Sequence, residues 1–248
     1  EQGGSGGNNA ADIDQTGSTH SAIVRQRGSG GGSVAGIDQS TDDTDENEAT
    51  VEQVVDAGSG TDTVDIDQGG SANRAMVQQE RSAGGTGSNA SVTQPGGRGR
   101  ATIVQKGPAL KAQIDQNGNA NEGEISQLGT GTAGEASIKA GSGTDNNLAR
   151  ILQDTGGSIG AIDQTSPNNK ATIEQANAQP QAGTVEADID QGGECRIPQR
   201  SRNRVAGPGA ARRWPSRGAK MTGRSTSRAL RPPLPRTSRW PVISTRCG

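Results

Sequence analysis

The chain has no phenylalanine and no tyrosine, and only two tryptophans in 248 residues. Apolar residues make up 27% and glycine 39 residues, a balance that on its own leaves too little apolar surface to offset chain entropy. No run of about 18 apolar residues exists, so no helix is long and apolar enough to cross a membrane. His20 is the single histidine and no cysteine precedes Cys195, so no Ser-His-Asp set, histidine or thiolate metal cluster or phosphate loop can be assembled from the first 190 or so residues. Acidic pairs are plentiful, but a sugar-cleaving helix of strands needs long loops and aromatic platforms, and the aromatics are missing. The expectation is no enzyme and no cofactor. Glu1 is not a methionine and no signal peptide is visible, so the chain reads as a mature form or a fragment.

What the chain does have is a repeat. Gln116 is followed five residues on by Asn121 and eleven on by Gln127. The same spacing returns at Gln68, Asn73 and Gln79, and at Gln164, Asn169 and Gln175. A shorter unit, Ala-x-Ile/Val-x-Gln, ends at Gln15, Gln26, Gln39, Gln53, Gln68, Gln79, Gln94, Gln105, Gln116, Gln127, Gln153, Gln164, Gln175 and Gln191, with a broken copy at Ala140. The units fall into seven pairs and half of an eighth. Linkers rich in Gly, Ser, Thr, Asn and Asp separate them. A unit recurring at fixed phase decides the architecture before any other feature does.

Inside each unit the side-chain period is two. Ala11, Ile13 and Gln15 share one face, and Asp12 and Asp14 share the other. Period two with β-branched residues between Gly/Asn turns means strands. A pair is then one rung, and rungs stack about 4.8 Å apart with like strand on like strand. The expected fold is all-β, a parallel β-solenoid of two strands per rung and about 7.5 rungs. Its interior is narrow, filled by Ala and Ile/Val, and Phe or Tyr would not fit there. Gln and Asn recur at equal heights, so each buried amide is expected to bond its own copy above and below. Residues 1–8 read as a flexible Gly-rich leader, residues 9–193 as the repeats and 194–248 as a separate segment.

Gln-x4-Asn-x5-Gln with Ala-x-Ile-x-Gln strands resembles the curlin repeat of bacterial curli fibre subunits, over about residues 9–191. The resemblance implies a secreted protein of the extracellular biofilm matrix that polymerises into amyloid fibres. It implies other curlin subunits or a nucleator as partners, and export by outer-membrane machinery. On it, Gln15, Gln26, Gln39, Gln53, Gln68, Gln79, Gln116, Gln127, Gln164 and Gln175 occupy the family's glutamine ladder, and Asn73, Asn121 and Asn169 its asparagine position; Gln191 opens the incomplete pair. The sequence departs from the pattern at Ala140, where Gln belongs, at Gly99, where Asn belongs, and in longer linkers such as 42–47.

One outward position is acidic in most rungs: Asp14, Asp38, Asp67, Asp115, Asp163 and Asp190, interrupted by Thr93 and Lys139. It reads as solubilising surface or as a stripe that slows assembly until acid or a divalent cation neutralises it. Gly58-x-Gly60-x-Asp62-x-Val64 resembles a single calcium-binding RTX nonapeptide, and the stretch ending at Asp145 partly repeats it. Asp62 and Asp145 are therefore the weak metal candidates, and a secreted calcium-dependent β-roll adhesin module is the alternative function.

The net charge of −2 hides two kinds of sequence. Residues 1–193 carry 11 basic and 26 acidic side chains, and residues 194–248 carry 14 basic and one acidic. Both Cys, both Trp and 7 of the 11 Pro lie in the latter. It reads as a disordered basic tail able to meet nucleic acid, anionic lipid or the acidic stripe, or as a shifted reading frame. Back-translated with free codons and read two bases on, residues 195–204 permit Pro-Asn-Ser-Ala-Thr-Ile-Ala-Gln-Ser. Its Asn and Gln fall five and eleven residues after Gln191. Residues 240–246 permit Ala-Gly-Asp-Ile-Asp-Gln in the same frame. Under either reading the tail is expected not to extend the solenoid.

Overall fold

The computed structural model describes residues 1–4, 7–41, 46–56, 58–81, 87–107, 110–128, 134–141, 145–154, 158–177, 185–192, 198–205 and 243–246. These residues contain strands and no helix. Sheet A holds β1 Gln2–Gly3, β3 Ser21–Arg27, β5 Glu48–Val55, β7 Arg74–Arg81, β9 Arg100–Lys106, β11 Glu122–Gln127, β13 Leu148–Gln153, β15 Lys170–Asn177 and β17 Pro198–Val205. Sheet B holds β2 Asn9–Thr16, β4 Ser33–Ser40, β6 Asp62–Gln68, β8 Asn89–Thr93, β10 Leu110–Gln116, β12 Gly134–Ala140, β14 Ser158–Gln164, β16 Val185–Gly192 and β18 Ile243–Arg246. Successive strands alternate between the sheets, so the chain winds as a parallel β-solenoid.

Register follows the repeat without slip. Ala11, Ile13 and Gln15 pair with Ala35, Ile37 and Gln39 in sheet B. Ala49, Val51 and Gln53 pair with Ala75, Val77 and Gln79 in sheet A. The reason is burial: a one-residue slip would turn the whole apolar and amide set of a strand to solvent. The inward Ala, Val and Ile of both sheets form one core running the length of the coil, with Ile66, Ile103, Ile114, Ile125, Ile151 and Ile173 fully buried. Each such side chain contributes roughly 1.5–3 kcal/mol.

The turns that lead from sheet B to sheet A share a left-handed residue. Thr19, Ala72, Arg98, Ala120, Asn146 and Asn168 have φ of 65, 55, 56, 52, 58 and 61°. Each immediately precedes the same turn column of His20, Asn73, Gly99, Asn121, Asn147 and Asn169. On the other edge, Gly28 has φ 130°, and a Cβ there would stand 2.0 Å from Val55 O of the next rung. Only glycine fits that approach.

Two expectations are corrected at the ends. The leader is not wholly outside the sheets. Gln2 and Gly3 pair with Gln26 and Arg27, and Gln2 Nε2 donates to Gln26 Oε1 at 2.7 Å. In the segment 194–248, Pro198–Val205 pairs along β15 and Ile243–Arg246 along β16. Parallel pairing uses backbone groups, so an irregular sequence can still join, and Pro198 stands at the first strand position, where a missing N–H is tolerated. The rest of 194–248 lies outside the described residues, as do Ser5 and Gly6.

Candidate functional site

Inward parity and equal height put the glutamines into two files. In sheet A, Gln2, Gln26, Gln53, Gln79, Gln105, Gln127 and Gln153 each donate Nε2 to Oε1 of the next glutamine toward the C-terminus, ending on Gln175, over 2.7–3.5 Å. In sheet B, Gln15, Gln39, Gln68 and Gln94 do the same down to Gln116. Below the break, Gln164 donates to Gln191 at 2.8 Å. From Gln26 to Gln191 all of these glutamines are buried.

The same nitrogens also tie the sheets together. Gln26 Nε2 donates to Ser33 O at 3.0 Å, Gln53 Nε2 to Asp62 O at 3.1 Å and Gln175 Nε2 to Ile159 O at 3.0 Å. In Gln39, Gln53 and Gln79 one N–H serves the stack and the other serves the opposite strand. A buried amide is thereby fully used, which is what makes it tolerable in an apolar interior.

The asparagines behave differently from expectation. Asn73 Oδ1 accepts from Gly99 N at 2.8 Å, and Asn73 Nδ2 donates to Gln94 O and Gly96 O at 3.2 and 2.7 Å. Asn47 repeats the arrangement on Asn73 N, Gln68 O and Gly70 O. Asn121 Oδ1 accepts from Asn147 N, and Asn147 Oδ1 from Asn169 N. These amides bind the backbone of the next turn, not one another, because the shorter side chain at a corner reaches main chain first. They form a column of turn clamps.

At Ala140 the sheet B file is broken. Register places Ala140 between Gln116 and Gln164, and its side chain is buried but has no amide. Gln116, on the near side of the break, meets a donor–donor conflict in either orientation. With its oxygen accepting from Gly123 N at 2.9 Å and its nitrogen donating to Arg100 O at 3.2 Å, it sets that nitrogen 2.9 Å from Gln94 Nε2. Turned to accept from Gln94, it sets nitrogen against the Gly123 N–H instead. On the far side of the break Gln164 Oε1 is buried with no partner.

The outward acidic column is continuous in register: Asp14, Asp38, Asp67, Thr93, Asp115, Lys139, Asp163 and Asp190. Burial, then Asp38 and Asp65, push the Asp67 carboxyl above its ordinary range. Burial, then Asp190 and Glu186, do the same to Asp188. Elsewhere opposite charges meet between rungs: Glu48 with Arg74 at 2.6 Å and Glu124 with Arg150 at 2.9 Å in sheet A, and Lys111 with Glu135 at 3.1 Å in sheet B.

The calcium candidates are already engaged. Asp62 is fully buried, 3.3 Å from the equally buried Arg81 Nε, and accepts from Ser88 N at 2.8 Å. Burial raises its pKa, opposed by Ser88 and Arg81. Arg81 also donates to Gly60 O at 2.7 Å. Asp145 Oδ1 accepts from Asn119 N at 3.0 Å. No group of three or more His, Cys, Asp or Glu able to hold a metal occurs among the described residues. His20 sits at its turn, with Nε2 3.1 Å from Thr16 O.

Sequence reading missed Gln2 and the Arg81–Asp62 pair. Both had a signal. Gln2 precedes Gln26 by the same 24 residues that separate Gln15 from Gln39. Arg81 has the inward parity of Val77 and Gln79, and Asp62 that of Val64 and Ile66. No family model matches the chain, and neither a search of curated proteins nor a search of solved structures gives a match.

Proposed function

We propose that this chain is a structural subunit of an extracellular, curli-like amyloid fibre, and that its activity is to join further copies end to end by stacking rung on rung. The observation that supports this reading is the sheet A amide file, unbroken from Gln2 to Gln175. Every rung binds the next by the same backbone pairing and the same side-chain bond. A rung of another chain with the same repeat can use both. Head-to-tail contact of that kind does not close on itself, so it yields a filament. The partners in this reading are the chain itself, other curlin-type subunits or a nucleator, and an outer-membrane export apparatus. The acidic column sets the pace, since like charges one rung apart repel by about 1 kcal/mol in water.

The test is to incubate purified protein with and without millimolar calcium and follow it by thioflavin fluorescence and electron microscopy. Fibres with a reflection near 4.8 Å along their axis are expected in both. A protein that stays monomeric and folds only with calcium would overturn this reading in favour of the adhesin module. Asp62, the carboxylate best placed by sequence for that alternative, faces Arg81 inside the coil.

A further inference from the structure

Rung six, made by β12 and β13, and the adjoining strand β14 present an unmatched pair of buried polar groups. Gln164 is fully buried and its Oε1 has no donor. Asn147 is 2% exposed and its Nδ2 has no acceptor, although Asn47 and Asn73 at the same place each donate twice. The two belong to adjoining files. A Cβ placed on Gly99, in the Asn column, would lie 2.9 Å from Gln94 Nε2 and 3.3 Å from Gln116 Oε1. The turn column therefore runs against the sheet B glutamines, and Asn147 runs beside the position of Ala140. At that position the chain lacks the Cγ, Cδ, Oε1 and Nε2 that every other glutamine in the file supplies. Gln116, on the near side, has no glutamine oxygen to receive its own nitrogen.

We propose that this position is a binding site for one small neutral molecule that both accepts and donates hydrogen bonds, of the class of the small primary amides, formamide being the simplest. Its carbonyl accepts from Asn147 Nδ2 or from Gln116, and its N–H donates to Gln164 Oε1. Its atoms take the place of the Cδ, Oε1 and Nε2 that Ala140 lacks, and its flanks meet the amides one rung above and below, about 4.8 Å away on each side. Water competes for the same groups. A single water is too short to reach from Gln116 to Gln164, two rungs apart, whereas a planar amide bonds to both sides as the glutamines do. The site is internal to one chain and does not depend on chains joining.

A ligand of three heavy atoms binds no tighter than about 1 mM. The full chain is mixed with 13C,15N-labelled formamide at about 100 mM, and magnetisation transfer to the Gln164 side-chain amide and the Ala140 methyl is measured. Transfer to both is expected, displaced by unlabelled formamide and not by N,N-dimethylformamide, which has no N–H. Ala140→Gln, which supplies the amide covalently, and Ala140→Leu, which fills the space without one, should each abolish it. Absence of transfer in the wild-type chain, or equal transfer in either folded variant, overturns the proposal. Should one variant fail to fold, the other and the dimethylformamide comparison still decide between these outcomes.

Discussion

Arg81 Nε lies 3.3 Å from Asp62 Oδ2, and both side chains are almost completely shielded from solvent inside a coil otherwise filled by Ala, Val, Ile and amides. Removing one member strands the other charge. Arg81→Ala should destabilise the fold by about 3–5 kcal/mol, and the paired replacement Arg81→Met with Asp62→Asn by much less. A double-mutant cycle on urea unfolding checks this, the expected coupling being of the same order as the single Arg81 loss.

Acidification should strengthen the fold, not weaken it, through Asp67 and Asp188. Both carboxyls are raised from 3.8, first by burial and then by neighbouring acids. A folded-state value above the unfolded one means that ionisation costs the folded chain more than the unfolded chain. That cost is present at neutral pH and is relieved as pH falls through the raised value toward 3.8, below which nothing more is gained. The urea midpoint should climb between pH 7 and this window. Asp67→Asn should raise the midpoint at pH 7 and flatten the climb. A midpoint that drops throughout, with Asp67→Asn no different, would contradict the assignment.

Glutamines within the file should be worth more than the one at its break. Gln53→Ala leaves Gln26 Nε2 without its 3.0 Å acceptor and Gln79 Oε1 without its 2.8 Å donor, and opens a void. The expected loss is about 3 kcal/mol or more. Gln116→Ala removes an amide that already sets a donor against a donor, so it should cost at least about 1 kcal/mol less. Thermal unfolding of the two variants side by side decides it.

The left-handed turn residues offer a gain. Ala72 and Ala120 hold φ of 55 and 52°, a region that costs an L-residue roughly 1–2 kcal/mol. Glycine removes that cost and gives back part of it as unfolded-chain entropy. Ala72→Gly and Ala120→Gly should each stabilise by about 0.5–1 kcal/mol. A raised urea midpoint at unchanged slope is the expected reading. Asn146 and Asn168, already suited to the region, should gain nothing from the same change.

Strand identity, register and the two glutamine files could be read from the sequence, because Ala, Ile and Gln at alternate positions leave one arrangement that buries them all. The neighbours of Gln53 follow from spacing alone. The bonding of Asn47 and Asn73 does not follow, since it depends on how the corner directs the next turn's N–H and carbonyls. Nor does the φ of Ala72 or Arg98, where the winding of the coil overrides local preference. Pro198–Val205 was unreadable for another reason. Its pairing beside β15 is a backbone contact, and its sequence does not repeat the pattern.

All the glutamines of sheet A hand their proton the same way along the coil. Successive peptide groups along each strand point alternately up and down the coil and largely cancel. The amides do not cancel, so their moments add as peptide units add in a helix. The coil is consequently an electrically oriented rod, with carbonyl oxygens leading at one tip and amide protons at the other, and a copy arriving backwards meets like poles.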